Sequence, residues 1–373
     1  MAEALKTFFS RALVGRIAAS LGAAHREFPT QAFVRDATRG LDRLELLARA
    51  HHITAAMARH LPQRYPDAIE VIVRSLGPIH ATDELEGVGM GPFFYLPHVY
   101  FVATRGLDHF DLSMRAQHAL TQRFTCEWSI RPFLEHHPEA TLTTLETWTR
   151  DASPHVRRLV SEGTRPLLPW APRVAWLVRE PERVLPLLER LKDDTASVVR
   201  RSVANHLNDL SKAHPKMVCD IAERWLDGAS DERRALVKHA LRTCVKRGDA
   251  RALALLGFGG APRADITNVV FTPKRVPIGG SVRVSFDVVS TAKRPQSLAV
   301  DLVVAFVKAR GQTSAKVFKV GTATLAAHEK ASFAKRVSVA VHTTRTPYPG
   351  RHVVEAAING ERRPLGAFHV SSQ

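Results

Sequence analysis

Apolar residues recur every three or four positions through most of the first 260 residues, as in LDRLELLARAHHITAAMARHL and DAIEVIVRSL, and Pro62, Pro66 and Pro78 interrupt the pattern. That period predicts helix after helix. The opening MAEALKTFFSRALVGRIAASL has the same amphipathic spacing. It is basic, as transit peptides are, but Glu3 and the continuing pattern mark a structural first helix. After LALLGFGGAPRADI the pattern changes. TNVVF, SVRVSFDVV, SLAVDLVVAFV, KVFKVGTATL, ASFAKRVSVAV, RHVVEAAI and GAFHVS are seven short, β-branched, partly alternating runs parted by turn residues. They predict an immunoglobulin-like β-sandwich. The expected architecture is multi-domain, α then β: a helical domain over residues 1–260 and a sandwich over 264–373.

Within the helical part a repeat is legible. SPHVRRLVSEG (153–163) matches ASVVRRSVANHLND (196–209), with Val156-Arg157-Arg158 falling on Val199-Arg200-Arg201, and SDERRALVKHALRTCVKRGD (230–249) is a diverged copy. A shift of about forty residues is the period of HEAT-like helix pairs, which stack into an α-solenoid with a concave face. Where the first copy has Glu162 the second has Asn205, so the scaffold tolerates a neutral residue there.

Charge narrows the partner. The chain holds 53 Lys+Arg against 36 Asp+Glu, a net charge of +17. That excess favours a polyanion, nucleic acid first. No run approaches the ~20 apolar residues of a membrane span. The segment 264–373 holds 16 Lys+Arg and 6 Asp+Glu, +10 of the +17, much of it in expected turns: Lys274-Arg275, Lys293-Arg294, Arg345, Arg351 and Arg362-Arg363. These are candidate DNA contacts or solvated surface charge. The three cysteines, Cys126, Cys219 and Cys244, are scattered without CxxC spacing, and the 18 histidines include no HExxH. Neither a disulfide framework nor a metal site is expected, no cofactor is implied, and a reducing compartment fits. Gly87, Gly89 and Gly91 lack the preceding strand and the Lys-Ser/Thr of a phosphate loop and read as an inter-helix loop.

Candidate chemistry gathers at residues 123–174. In SPHVRRLVSEGTRPLLPW, Ser153 is placed to cap a helix, Pro154 opens it and Gly163 ends it, ahead of a proline-braced loop holding Trp170. Arg158 and Glu162 share a face, as do Glu127 and Arg131 in RFTCEWSIRPFLEHHP. Each glutamate is therefore either a reactive carboxylate or half of an i,i+4 ion pair. Trp170 is either a ligand-facing ring or a plug between repeats. Arg157, Arg158, Arg165 and Arg201 are candidates for phosphate contacts or for repeat-to-repeat ion pairs.

TCEWSIRPFL, W-x-x-D at Trp148 to Asp151 and HVRRLVSEGTRPLLPWAPRV resemble the AlkC family of bacterial DNA alkylation-repair glycosylases, related to AlkD. The resemblance spans essentially the whole helical region, and the sandwich resembles the Ig-like domain of a subset of that family. Trp128 stands where the EFAIRPF form of the motif carries Phe, a conservative aromatic change. The resemblance implies a monofunctional glycosylase acting on double-stranded DNA as a monomer, in the cytoplasm at the nucleoid. It implies excision of cationic N-alkylated bases, notably 3-methyladenine and 3-methylcytosine, without flipping the base into a pocket. Motif by motif, Glu127 and Glu162 become the carboxylates at the lesion and Trp170 the sugar-facing aromatic, with Asp151 and Trp148 as secondary candidates. The competing class is a non-catalytic HEAT-repeat DNA-binding or scaffold protein. A pure phosphate binder gains nothing from carboxylates at its basic face, which is what separates the two.

Overall fold

The computed structural model describes residues 5–80, 91–341 and 346–372; Gly87, Gly89 and Arg345 lie outside the described residues. The chain divides into two compact units, one of residues 1–213 and 229–240, the other of 214–228 and 241–373. The compositional break at 260–264 thus separates helix from strand, while the helices Pro215–Leu226, Arg242–Lys246 and Ala250–Leu255 group with the sandwich.

The first unit is helical throughout its described residues. The basic N-terminal segment forms a packed helix, Arg11–Ala24, which buries Leu13, Val14, Ile17, Ala18 and Leu21; Ser10 caps it by accepting from the Leu13 N–H at 3.3 Å. Proline opens helices rather than only breaking them: Pro66, Pro97, Pro138 and Pro154 each sit in a first turn, where the missing N–H costs nothing. The expected repeat is real at atomic detail. Helix Pro154–Gly163 packs on helix Ser197–Leu210, which packs on helix Asp231–Ala240. Asp151 Oδ1 accepts the Ser153 N–H at 2.8 Å, and Asp194 Oδ1 accepts the Ala196 N–H at the same distance. Arg157 Nη1 reaches back to the carbonyls of Asp151 and Ala152, and Arg200 Nη1 to those of Asp194 and Thr195. Each aspartate thus holds the N–H of the residue just before its helix, and the cap expected of Ser153 is not made by its side chain.

The described residues of the second unit form eight strands, one more than the alternation showed: β1 (Ala264–Thr272), β2 (Arg275–Pro277), β3 (Ser281–Ser290), β4 (Gln296–Val307), β5 (Thr313–Leu325), β6 (Lys330–Ser338), β7 (Gly350–Ile358) and β8 (Glu361–Ser371). The extra strand, β2, is three residues long and pairs parallel with β8, too short to leave a period. The sheets run β1-β3-β6 and β2-β8-β7-β4-β5. Alternate residues Val282, Val284, Phe286 and Val288 of one sheet meet Val300, Leu302, Val304 and Phe306 of the other in a shared core. On the helical side of this unit Gly248 and Gly360 lie backbone to backbone, both at positive φ; a Cβ on Gly360 would meet Gly248 Cα at 2.8 Å.

The basic turns do not form one patch. Register puts Lys293-Arg294 and Arg362-Arg363 at the end where Ala264 faces Ser290 and Ile358 faces Glu361. Lys274-Arg275 lies at the other end, where Arg275 faces His369 and His369 faces Arg351 across β2, β8 and β7.

Candidate active site

Of the residues singled out between 123 and 174, Glu127, Glu162, Arg165 and Trp170 line one cleft of about 380 Å³, walled by Phe93, Phe124, Trp128 and Trp170. Glu127 lies on the turn before helix Ile130–His136, and its Oε2 accepts the Thr125 hydroxyl at 2.6 Å. Glu162 lies in the last turn of helix Pro154–Gly163. Its Oε1 accepts Arg165 Nη1 at 2.5 Å, and its Oε2 accepts the Ser202 hydroxyl, from the next repeat, at 2.6 Å. Arg158 stands between the two, 3.4 Å from Glu127 Oε2 and 3.8 Å from Glu162 Oε1. Both carboxylates are buried to within a tenth of their surface. Burying a charge costs several kcal/mol unless it is paired and hydrogen-bonded, about 3 kcal/mol or more for a half-broken pair. Here nearly every oxygen has a donor.

The i,i+4 pairs expected from spacing are not the dominant ones. Arg158 leans toward Glu127, not Glu162, because the helix end turns Glu162 toward Arg165 and Ser202. Arg131 does not pair with Glu127; it donates to the backbone carbonyls of Gly163, Arg165 and Pro172. Arg157 is bidentate to Asp194 at 2.6 and 2.9 Å, an inter-repeat ion pair, and Arg165 is held between Glu162 and Asp209. A phosphate would have to displace a carboxylate to reach either. Arg201 is exposed and, with Arg200, Glu232 and His239, lines a second hollow of about 330 Å³. Asp151 and Trp148 are not brought to the cleft. Asp151 is occupied by the helix start and by His118 Nε2 at 2.7 Å, and Trp148 lies edge-on to His118.

Asp209 went unread in the sequence. It accepts Arg165 Nε at 2.9 Å and Lys212 at 3.0 Å, so it anchors the cation that anchors Glu162. The available signal was Ser202, His206 and Asp209, polar residues along the buried stripe Val199, Val203, Leu207, Leu210. Trp170 is 65 % exposed at φ +64°, an indole offered to solvent from a left-handed backbone. The plug reading is therefore excluded.

The two carboxyls are driven apart in acidity. Burial raises Glu127, and the negative charge of Glu162 adds to it, against the partial relief of Arg158 and Thr125. Burial also pushes Glu162 upward, but Arg158, Arg165 and the Ser202 hydroxyl outweigh it and hold this carboxyl below its ordinary value. Environments that separate two carboxyls in this way mark out different proton-handling roles. Glu162 thus favours its ionised form, and Glu127 holds a proton more readily than an ordinary glutamate. Among the described residues no group of three or more His, Cys, Asp or Glu is placed to hold a metal, the three cysteines are buried and unbridged, and no helix is long and apolar enough to cross a membrane.

Residues 122–245 match the family described as DNA alkylation repair enzyme, and residues 265–372 match the C-terminal Ig-like domain of the protein YhaZ. YhaZ of Bacillus subtilis (strain 168) is 35% identical over 368 residues, 98% of this chain and 99% of its own. The structure of Pseudomonas fluorescens alkylpurine DNA glycosylase AlkC, bound to DNA containing an abasic site analog, superposes with a TM-score of 0.91 at 34% identity, covering 99% of this chain and 100% of that one. With the helical repeats, the Ig-like sandwich and near full-length similarity to both proteins, the chain belongs to the AlkC family of DNA alkylation-repair enzymes, in the group that carries the C-terminal Ig-like domain.

Proposed function

We propose that the protein is a monofunctional DNA glycosylase that hydrolyses the N-glycosidic bond of cationic N-alkylated bases in duplex DNA, 3-methyladenine and 3-methylcytosine foremost. The observation that carries this reading is the pair of buried carboxylates, held apart in acidity, beside an exposed tryptophan in an otherwise strongly basic chain. A base alkylated at a ring nitrogen is cationic and departs neutral, so it needs little acid help. What remains is to stabilise the oxocarbenium-like sugar and to direct a water at C1′. Glu162, fixed as an anion, supplies the first by charge. Glu127, with its raised pKa, accepts the water's proton. The Trp170 face lies against the sugar and attracts the developing cation. Because these groups act on the sugar and the water and none is needed to grip the base, the base can depart without being turned into a pocket. Arg158 keeps the two carboxylates from repelling each other.

On this reading Arg201 and the exposed basic turns of the sandwich contact phosphates, and the protein acts as a monomer in the cytoplasm. The test is release of free base from methylated duplex DNA, followed by strand cleavage in alkali at the abasic site. Release by the wild-type chain and its loss in Glu162→Gln supports the assignment. Binding without release in the wild type returns the protein to the non-catalytic class.

A further inference from the structure

Arg131 is among the largest fully buried side chains, 1 % exposed. Among the described residues its hydrogen bonds all go to backbone carbonyls, and Glu127 and Glu135 favour its charge only from beyond contact distance. Nη1 donates to Gly163 O at 3.0 Å and to Arg165 O at 2.9 Å, and Nε donates to Pro172 O. The three carbonyls are not a random set. Gly163 is the last residue of the helix that carries Glu162, and its carbonyl is one of the unpaired acceptors at the negative end of the helix. Arg165 and Pro172 bracket the loop that carries Trp170. Arg131 itself follows Glu127 by four residues. One guanidinium therefore joins the segments that bear all three candidate functional groups. The approach is tight: a Cβ on Gly163 would come within 2.6 Å of Ile130 Cγ2, so only glycine lets the helix end close on this arginine. Gly163 is needed for that contact, not to end the helix in a left-handed turn.

Trp170 explains why such a clasp is required. A non-glycine residue at φ +64° with an indole 65 % exposed has neither an easy backbone nor a buried ring to hold it. Such a conformation is strained and persists only where its surroundings over-determine it. We propose that Arg131 is the positioning residue of this site: its three-carbonyl clasp fixes the 163–172 loop and so presents Trp170 at a set place relative to Glu127 and Glu162. Burial lowers the Arg131 pKa to about 10, which still leaves an arginine charged at neutral pH. A lysine there, with an unperturbed value about two units below arginine's, would lose its proton far more readily.

The test uses the full chain with Arg131→Gln and Arg131→Lys, each also made with Trp170→Phe so that the Trp170 signal is obtained by difference. Arg131→Gln is expected to lower the time-resolved fluorescence anisotropy of Trp170 and to slow single-turnover excision about a hundredfold, the order of loss that a 1 Å misplacement causes. Arg131→Lys is expected to approach the wild-type rate at pH 6 and to fall progressively below it toward pH 8.5. The excision arms rest on the glycosylase reading; the anisotropy arm does not. If the wild-type chain releases no base, the function is wrong and the anisotropy alone decides the clasp. Unchanged Trp170 anisotropy in Arg131→Gln overturns the proposal whatever the rate does. Should that variant not fold, a lysine variant that follows the wild-type pH profile overturns it instead.

Discussion

Helices Pro154–Gly163 and Ser197–Leu210 are two castings of one mould. Each is preceded by an aspartate that holds the N–H of the residue just before the helix, and each carries an arginine that hooks back over that start. They diverge where the chemistry lies. Glu162 is buried and tied to Arg165 and Ser202, whereas its counterpart Asn205 accepts His239 at 3.0 Å and carries no charge. The comparison separates what a repeat needs, a capped helix start and an inter-repeat tie, from what a site needs, a charge worth burying.

The largest expected effect breaks the comparison at that position. Glu162→Gln should slow excision by about 10²–10³-fold, as loss of one transition-state electrostatic contact does, while Asn205→Ala should change it by less than about threefold. Equal losses from both would mean that position 162 acts through packing. Glu127→Gln should behave like Glu162→Gln, and the double variant should fall far short of the product of the two losses if both act on one water.

Next in size is the shared scaffold. Arg157→Ala leaves the buried Asp194 carboxylate without its cation and should cost about 3 kcal/mol of stability. Arg200→Ala gives up hydrogen bonds to carbonyls and should cost about 1 kcal/mol. Urea unfolding followed by circular dichroism reads both, and a larger loss at Arg200 would contradict the inter-repeat role of Arg157.

Smaller still is a pH shift. Glu127 is raised by burial and by Glu162, so its carboxylate is lost as pH falls through a value above that of an ordinary glutamate. Removing the Glu162 charge should move that transition to lower pH, observable by ¹³C titration of the Glu127 carboxyl in Glu162→Gln. A shift in the opposite direction would show that the two charges do not sense each other.

The smallest effect compares the two ends of the sandwich. Arg275, His369 and Arg351 form an exposed row in register across three strands. At the far end Arg363 is committed to the carbonyls of Pro262 and Ala264, and Arg362 pairs with Glu355 at 3.4 Å. Lys274→Ala with Arg275→Ala should therefore flatten the salt dependence of DNA binding, by about two units of slope if both touch phosphate, and more than Arg362→Ala with Arg363→Ala does. The reverse ranking would assign the other end to the duplex.

Much of this molecule was written in local pattern. A period near 3.6 and a period of 2 are properties of neighbouring residues, so the helices, seven of the eight strands and the break between them could be read directly. The 153–163 and 196–209 match likewise announced the repeat, and the motif around Glu127, Glu162 and Trp170 marked the cleft. Partners across about forty residues carry no such period. Spacing offered Arg158 to Glu162 and Arg131 to Glu127, because one helix turn is all that spacing measures. Only the packed structure brought Ser202 and Asp209 from the following repeat to Glu162 and Arg165, turned Arg131 onto three carbonyls, committed Arg157 to Asp194 and sent the basic turns to opposite ends of the sandwich. Burial decided these pairings: once water is excluded, each charge takes whichever partner the fold leaves within reach, however distant in sequence.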